Sequence, residues 1–372
     1  MLIGIDGNEA NVKQRVGSNQ YAFELIWALY NLKSPHQYRV YLKEKPLVEL
    51  PKATNNWSYR IFGPEKLWTQ WRLPLDLYFH KPRPDVFFSP GHYAPRFCPS
   101  PLVVSIMDLG YLRFPGQFIK KDLYQLTFWT AFSIRKADYI LAISESTKND
   151  IIKTYSISAE KIAVTYPGYD KNRFKIQSSN FKIEKIKRRY KISGDYILFL
   201  GTLKPSKNVE GLLEAFSILA GSVPAKLVVA GKKGWLYQTI FEKAKDLGLE
   251  EKVIFTDFVS EEDLPFLMAG AKVFVMPSFW EGFGIPVIEA MACGVPVVVS
   301  NAGSLPEIVG KAGVIVNPYD IKSIAQGIKK ALTEREFLIK KGLEQVKKFS
   351  WEKCAKETLK ILEMIADKKR IK

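Results

Sequence analysis

Residues 273–294 read VFVMPSFWEGFGIPVIEAMACG, and this stretch decides the fold. Its apolar beginning, Val273 to Met276, predicts a buried parallel strand. A glycine-rich loop follows, Pro286 suits the first turn of a helix, and Gly294 suits its end. A strand, a loop and a helix in this order direct backbone amides and the positive end of a helix dipole toward one place. The stretch therefore predicts an anion site, for a phosphate above all.

Two glutamates frame this loop, Glu281 within it and Glu289 inside the predicted helix. Their spacing corresponds to a helical offset of about 80°, so they would not share one helix face. We expect them to contact two parts of one long ligand. The alternative for Glu289 is a solvated helix residue. Its neighbours are apolar, however, and a carboxylate among them needs a partner.

The spacing of Glu281 and Glu289 within PSFWEGFGIPVIEAMACGVPVV resembles the signature of the retaining glycosyltransferases of family 4. The resemblance implies an α/β protein with the GT-B fold, in which two Rossmann-like doubly wound domains face a central cleft. It implies that Glu281 binds sugar hydroxyls of a nucleoside-diphosphate sugar and that Glu289 binds the ribose. The diphosphate and the sugar would face the backbone amides of Gly282, Phe283 and Gly284.

Length and element order predict two domains. A chain of 372 residues exceeds one usual core, and strands alternate with helices from end to end. We expect an N-terminal domain over 1–175 and a second domain over 176–350, with a final helix over 351–372 that returns to the first. The resemblance assigns the acceptor to the first domain and the nucleotide sugar to the second.

Composition excludes several other classes. The apolar fraction is 47% and no apolar run reaches the length of a membrane span. We expect no signal peptide, because no basic region or cleavage site is recognised before the first strand, and the three cysteines lie far apart, without a metal-ligand spacing. We therefore expect a cytoplasmic protein without a disulfide framework. No Asp-x-Asp carboxylate pair was recognised, so no metal held in that way, and no other cofactor, is expected.

The net charge of +17 is partly local. Residues 173–191 contain eight Lys or Arg and one acid, Glu184. A solvated linker and helix face is one interpretation. Another interpretation is attraction to an anionic surface at the inner face of a membrane, or to an anionic donor. Nucleic acid is not expected as a partner, because no nucleic-acid-binding motif accompanies the charge.

A second strand-loop-helix lies upstream. The strand 196–200 is followed by GTLKPSKN, and a lysine in such a loop suits a diphosphate as a compact positive charge. By resemblance Lys207 matches the family's lysine, and Gly201, Thr202 and Ser206 belong to the donor site. Many relatives carry an arginine in place of Thr202 or Ser206, so this loop secures only one cation unless Lys204 substitutes. An ordinary surface lysine is the alternative for Lys207.

Other donor contacts follow from the resemblance alone. The segment from Asp257 to Val259 would cradle the nucleotide base through backbone groups. In the first domain, Gly17 precedes a helix that would lie near the donor phosphates, although a lone glycine is more often only a tight turn.

The strand 102–106 leads into Met107 and Asp108, where the family usually has a histidine before the Asp-Leu pair. The resemblance places Asp108 with Glu281 and Lys207 among the catalytic residues and Met107 among the donor contacts. Methionine would keep the backbone carbonyl toward the reaction centre and lose the polar side chain. His92 could compensate, although an ordinary loop histidine is the favoured interpretation.

The segment 67–79 is aromatic-rich with a helical period, which Pro74 should break or kink. We interpret Trp68, Trp71 and Tyr78 first as core residues and second as a lip that faces the acceptor.

Together these features predict a hexosyltransferase that acts with retention and without a metal. Its donor would be of the GDP-mannose or UDP-glucose type, and its acceptor a saccharide or lipid-linked saccharide. A sugar-nucleotide hydrolase or phosphorylase is a rival interpretation. A non-catalytic protein that binds nucleotide sugars or polysaccharides is the main alternative from another class, and a basic nucleic-acid-binding protein is the last.

Overall fold

The computed structural model describes residues 1–15, 17–176 and 179–370. The chain forms two compact units, Met1–Gly168 with Ser350–Lys372, and Tyr169–Phe349. The division follows Gly168, whereas the sequence placed it after residue 175. Gly168 passes so close to the start of the last helix that a Cβ there would overlap the Trp351 backbone nitrogen. The chain therefore leaves the first unit at this glycine.

A single parallel sheet forms the centre of the first unit, in the order β3-β2-β1-β4-β5-β6-β7. Its central strands β1, β4 and β5 are buried throughout, as expected for a parallel sheet covered on both faces, whereas the edge strand β3 is largely exposed or half-buried. Their bounds are β1 Leu2–Asp6, β2 Gln37–Leu42, β3 Trp57–Ile61, β4 Val86–Ser89, β5 Leu102–Ile106, β6 Tyr139–Ala142 and β7 Ile162–Val164.

The helices of the first unit connect these strands. Ser144 caps the fifth of them, because its side chain accepts the Thr147 amide. Their bounds are α1 Ser18–Asn31, α2 Leu73–Phe79, α3 Gly110–Arg113, α4 Lys120–Lys136 and α5 Glu145–Tyr155.

The aromatic segment before β4 differs from the prediction. A π-helix, Trp68–Arg72, runs directly into α2, so the segment is not broken at Pro74. Proline fits there because it occupies the first turn of the α-helix. Trp68 lies in the core at 3% exposure, but Trp71 and Tyr78 are exposed, so the core interpretation is wrong for these two.

The second unit has its own parallel sheet, in the order β10-β9-β8-β11-β12-β13. Val273–Met276 forms β11 with the predicted bounds, and each of its residues is buried. The bounds are β8 Asp195–Leu200, β9 Ala225–Ala230, β10 Val253–Asp257, β11 Val273–Met276, β12 Val297–Ser300 and β13 Gly313–Val316.

In the second unit, a turn precedes the helix that follows β10. Ser260 accepts the Asp263 amide within a turn, and the helix begins at Leu264 with Pro265 in its first turn. The helix bounds are α6 Asn180–Arg189, α7 Val209–Leu219, α8 Gln238–Asp246, α9 Leu264–Ala269, α10 Ile285–Ala292, α11 Leu305–Val309, α12 Ile321–Thr333 and α13 Arg335–Gln345.

The last helix, α14 (Trp351–Arg370), packs in the first unit against α1. Trp351 and Tyr21 bring their ring centroids to 5.9 Å, and Cys354 is fully buried. Residues 371 and 372 of the predicted helix lie outside the described residues. In the described ranges no helix is long and apolar enough to cross a membrane.

In each sheet the order of the strands reverses once. The chain turns back between β1 and β4 in the first unit and between β8 and β11 in the second. In open parallel sheets, ligands bind outside the carboxyl ends of the two strands at such a switch point. The loops that follow β1, β4, β8 and β11 are therefore the places to look for a site.

Candidate functional site

The switch point of the second unit joins the two predicted phosphate loops. Strands β8 and β11 are neighbours, with Val273 opposite Ile197, so their following loops begin at the same edge of the sheet. The Phe279 amide donates to the Ser206 carbonyl at 2.9 Å and ties one loop to the other. Loops far apart in the sequence are thus one structure.

Lys207 and Glu281 meet at this junction. The Lys207 Nζ donates to Glu281 Oε1 at 2.5 Å, and the two side chains are only 16% and 13% exposed. The lysine is therefore no ordinary surface residue. A buried cation and a carboxylate that remain partly reachable can each take a ligand group of opposite charge or a hydroxyl.

Asn208 fixes the loop on which Lys207 lies. It is buried in the left-handed conformation at φ 53°, directly before α7. Its Nδ2 donates to the Pro277 carbonyl at 3.1 Å and to the Pro318 carbonyl at 2.7 Å. Asparagine tolerates this conformation better than most residues. The residue type was therefore the one sequence signal for the role of Asn208, which was not predicted.

Two buried serines after β12 and before α11 hold the Glu281 loop. The Ser300 hydroxyl donates to the Ser278 carbonyl at 2.6 Å, and the Ser304 hydroxyl lies 3.1 Å from the carbonyls of both Glu281 and Phe283. These carbonyls point toward the serines. No local pattern in the sequence indicates this supporting role of Ser300 and Ser304.

The amides of Gly282 and Gly284 remain available. Neither N–H has a hydrogen-bond acceptor among the residues that the structure describes. Gly284 has φ 95° and precedes α10, while Phe283 is buried and packs edge-on against Phe349 at 5.6 Å. The loop is thus anchored by an aromatic side chain, and two backbone donors lie beside the start of a helix, as an anion site requires.

The other members of the first loop supply shape rather than charge. A Cβ at Gly231 would overlap the Gly201 carbonyl oxygen, and one at Gly234 would lie 2.9 Å from the Thr202 methyl group. Lys204, the candidate substitute cation, has its Nζ 5.0 Å from the centre of the Trp235 ring. It is engaged there by a cation–π contact.

Glu289 lies half-buried on α10. Burial first, and then the Glu289 charge, raise the pKa of Cys293 to about 12. Glu289 thus belongs to the helix that begins directly after Gly284.

Asp257 is the last residue of β10 and Val259 follows this strand, which is separated from β8 by β9. Val259 is buried, but the Asp257 side chain is 64% exposed and pairs with Lys233 at 3.5 Å. The structure therefore does not bring the Asp257 carboxylate to the Lys207–Glu281 pair.

In the first unit, β5 delivers Met107 and Asp108. The Met107 side chain is buried, and its carbonyl accepts the Thr147 hydroxyl at 2.9 Å. The Asp108 Oδ1 accepts the Gly110 amide at 2.7 Å. The Met107 carbonyl, which was expected to face a reaction centre, already has one donor inside this unit.

His92 lies in the loop after β4, the strand that neighbours β5. Burial lowers the pKa of His92, and the charge of Asp108 partly opposes this effect. Its Nδ1 is buried and has no hydrogen-bond partner in the part of the chain that the structure describes. The fold thus brings a histidine into electrostatic reach of Asp108, which spacing in the sequence could not show.

Gly17 precedes α1 with φ 55°, and among the described residues no atom outside its chain neighbours lies within 4 Å of the place where its Cβ would be. Nearby, Glu9 accepts Ser18 Oγ at 3.1 Å and Asn19 Nδ2 at 2.7 Å. Burial raises the pKa of Glu9. Glu9 was not predicted as a site residue, although the polar run after β1 signalled it.

Comparison with known proteins identifies the chain. Residues 17–173 match the family model described as Glycosyltransferase Family 4, and residues 182–352 match the model described as Glycosyl transferases group 1. The O-antigen chain mannosyltransferase B of Escherichia coli is 32% identical over 314 residues, which cover 83% of this chain and 80% of that protein. The chain belongs to glycosyltransferase family 4. The predicted family is thereby confirmed, and the protein is a glycosyltransferase.

Solved structures agree on the fold of this family 4 glycosyltransferase. Sucrose-phosphate synthase from Thermosynechococcus elongatus superposes with a TM-score of 0.77 at 18% identity, over 98% of both chains. Anabaena HepE in complex with UDP and glucose gives a TM-score of 0.74 at 20% identity, over 97% of this chain and 99% of HepE. The fold is GT-B, as the sequence predicted.

Proposed function

We propose that the protein is a retaining hexosyltransferase whose donor is a nucleoside-diphosphate sugar of the GDP-mannose or UDP-glucose type. The observation that carries this proposal is the Lys207–Glu281 pair at 2.5 Å beside the unpaired amides of Gly282 and Gly284. A cation and two backbone donors suit a diphosphate, and a neighbouring carboxylate suits sugar hydroxyls. No single one of these groups would specify such a ligand.

Each donor contact has a proposed place. Lys207 and the two glycine amides take the diphosphate, with Gly201, Thr202 and Ser206 shaping the loop around it. Glu281 orients the sugar and Glu289 the ribose. The base lies against the backbone from Asp257 to Val259, since the Asp257 carboxylate itself pairs with Lys233.

Mannose is the favoured sugar. The Escherichia coli relative is named as an O-antigen chain mannosyltransferase, whereas HepE was solved with UDP and glucose at lower identity. We propose a saccharide or lipid-linked saccharide as the acceptor, held by the first unit, and peripheral contact with an anionic membrane surface.

The chemistry follows from these places. The bond between the anomeric carbon and the β-phosphate oxygen breaks, and its electron pair leaves with the nucleoside diphosphate. Lys207 and the glycine amides stabilise that developing charge, which is the largest contribution a preorganised site makes. The acceptor oxygen bonds to the oxocarbenium-like carbon on the same face, and its proton passes to the departing phosphate oxygen. We propose no side-chain nucleophile and no metal requirement.

Product analysis with a donor panel tests the proposal. GDP-mannose, UDP-glucose, UDP-GlcNAc and UDP-galactose are each incubated with the protein and a saccharide acceptor, with and without EDTA. We expect one donor to release its nucleoside diphosphate, with retention at the anomeric carbon by NMR and no loss in EDTA. Glu281→Gln should lower the rate about a hundredfold, because it removes the carboxylate that orients the sugar. Inversion, or a requirement for a divalent cation, would contradict the mechanism.

A non-catalytic nucleotide-sugar-binding protein is the second candidate. Thr202 and Ser206 supply no second cation, and Thr147 already occupies the Met107 carbonyl. Tight binding of a nucleoside diphosphate without turnover of any donor would favour this function. A gain of turnover in Met107→His would instead show that the missing histidine limits an active enzyme.

A further inference from the structure

The π-helix and α2 of the first unit carry an apolar stripe that faces solvent. Leu67, Trp71, Leu75, Tyr78 and Phe79 are between 43% and 80% exposed. They recur at steps of one helical turn, which places them along one side of the segment. On the opposite side, Trp68, Leu73 and Leu77 are in the hydrophobic core. The outward face is therefore a defined surface, here called the α2 stripe.

Cations border this stripe. Lys66, Arg72 and Lys81 are exposed, and no carboxylate among the described residues forms an ion pair with them. Arg83 donates to the Tyr78 carbonyl at 2.6 Å and lies 5.5 Å from the centre of the Tyr78 ring. The α2 stripe is thus an apolar band with positive charge along its edge.

The acids of the segment do not cancel this charge. Asp76 is 10% exposed and pairs with Arg60 at 2.8 Å, and Glu65 pairs with Lys43 at 3.5 Å. A helix with tryptophan, tyrosine and phenylalanine on one side and lysine or arginine at its border lies in the interface of an anionic bilayer. A second copy of the chain is disfavoured, because a twofold contact would bring the same cations together.

We infer that the α2 stripe is the surface by which this protein docks on anionic lipid. The inference rests on the proposed function in one respect, since a lipid-linked acceptor gives the enzyme a reason to be at the membrane. Trp71 and Phe79 enter the headgroup region, and Lys66, Arg72 and Lys81 contact lipid phosphates. The two residues thought to form an acceptor lip, Trp71 and Tyr78, would thus contact the bilayer that carries the acceptor.

The basic segment 173–191 is the weaker candidate for this role. Arg173 pairs with Glu261, Lys187 with Glu184 and Arg189 with Asp263, at 2.6 to 2.7 Å. Its charge is partly used within the second unit. The remaining exposed cations of α6, Lys182, Lys185 and Arg188, provide a matched comparison of charge.

Co-sedimentation with phosphatidylcholine vesicles, with and without phosphatidylglycerol, tests the inference. Trp71→Ser/Phe79→Ser and Lys66→Gln/Arg72→Gln/Lys81→Gln should each lower the partition coefficient on anionic vesicles about tenfold or more. The control Ile218→Ser/Phe337→Ser removes apolar surface that is 56% and 55% exposed elsewhere, and should change binding less than about twofold. Lys182→Gln/Lys185→Gln/Arg188→Gln should behave like this control.

Three results would overturn the inference: wild-type binding by Trp71→Ser/Phe79→Ser, loss of binding in the α6 variant instead, or a lipid-free dimer that Trp71→Ser/Phe79→Ser dissociates. GDP binding by calorimetry is measured for every variant and should not change. Vesicle binding without any nucleotide binding would refute the proposed function and leave the docking surface standing. Donor turnover by the wild type, together with wild-type vesicle binding by Trp71→Ser/Phe79→Ser, would support the proposed function and refute the docking surface.

Discussion

Asp6 ends β1 with its carboxyl buried, and burial raises its pKa from the ordinary 3.8 to about 6. Its Oδ1 accepts the backbone amide and the Nδ2 of Asn8 at 3.1 and 2.7 Å, which lowers the pKa only in part. The folded protein therefore holds this proton more tightly than the unfolded chain does. The stabilisation that results is complete below pH 3.8 and is lost as the pH rises through about 6.

Asp6→Asn removes this pH dependence and keeps one acceptor oxygen for Asn8. Relative to wild type, the variant should gain up to about 3 kcal/mol in free energy of unfolding between pH 4 and pH 8. Urea unfolding of both proteins across that range measures the gain. A difference in unfolding free energy that stays constant with pH would show that Asp6 does not titrate as its burial requires.

At the residue scale, the sequence predicted the pair of site residues but not their contact. Lys207 and Glu281 were each assigned to the donor from motif resemblance, and only the adjacency of β8 and β11 shows that they meet. Met107 shows the limit more sharply. Its partner Thr147 lies on α5, and no local pattern links a backbone carbonyl to a hydroxyl forty positions away.

At the element scale, the Glu281 loop depends on the turn after β12. Gly303 has φ 62°, and a Cβ there would overlap the Glu281 carbonyl oxygen. Gly248 has almost the same φ, 63°, and apart from its chain neighbours no atom in the described part of the chain lies within 4 Å of the place where its Cβ would be. Substitution of either glycine therefore introduces the same backbone strain, but only a substitution at Gly303 also introduces a contact with the Glu281 loop.

Gly303→Ala should weaken GDP binding at least about tenfold, because the added methyl displaces the carbonyl that Ser304 holds. Gly248→Ala should leave GDP binding unchanged and cost about 1 kcal/mol of stability, the usual cost of alanine at positive φ. Calorimetry and thermal unfolding of both variants measure these effects. Equal GDP affinities in the two variants would mean that the turn does not position the loop.

Element prediction succeeded where a local signal was strong. β11 has the bounds that its apolar run predicted. At α2, Pro74 was expected to break or kink the helix, and the helix is not broken there. A π-helix in front of it supplies the change of geometry instead. The prediction of which side chains are buried was also wrong there. Aromatic residues at helical spacing predict that one side of a helix is buried, but they do not show which side it is.

At the scale of the whole molecule, alternating strands and helices were enough to predict the α/β class, and the Glu281–Glu289 motif was enough to predict GT-B and family 4. The return of the last helix was harder to bound. It begins next to Gly168, where only a glycine admits the crossing backbone, so the first unit ends earlier than the basic segment suggested. The proposed sugar, the proposed acceptor and the proposed surface for membrane contact depend on parts of the molecule that carry no motif.

The measurement that tests the central claim most directly is calorimetric binding of GDP and UDP to wild type, Lys207→Met and Lys204→Met. Lys207 contacts Glu281 beside the unpaired amides of Gly282 and Gly284. Lys204 of the same loop lies over the Trp235 ring instead. We predict that Lys207→Met binds the preferred nucleotide about ten- to a hundredfold more weakly, the contribution of one charge-assisted contact. Lys204→Met should bind it as wild type does. Unchanged affinity in Lys207→Met, or an equal loss in both variants, would contradict the assignment of this loop junction as the diphosphate site.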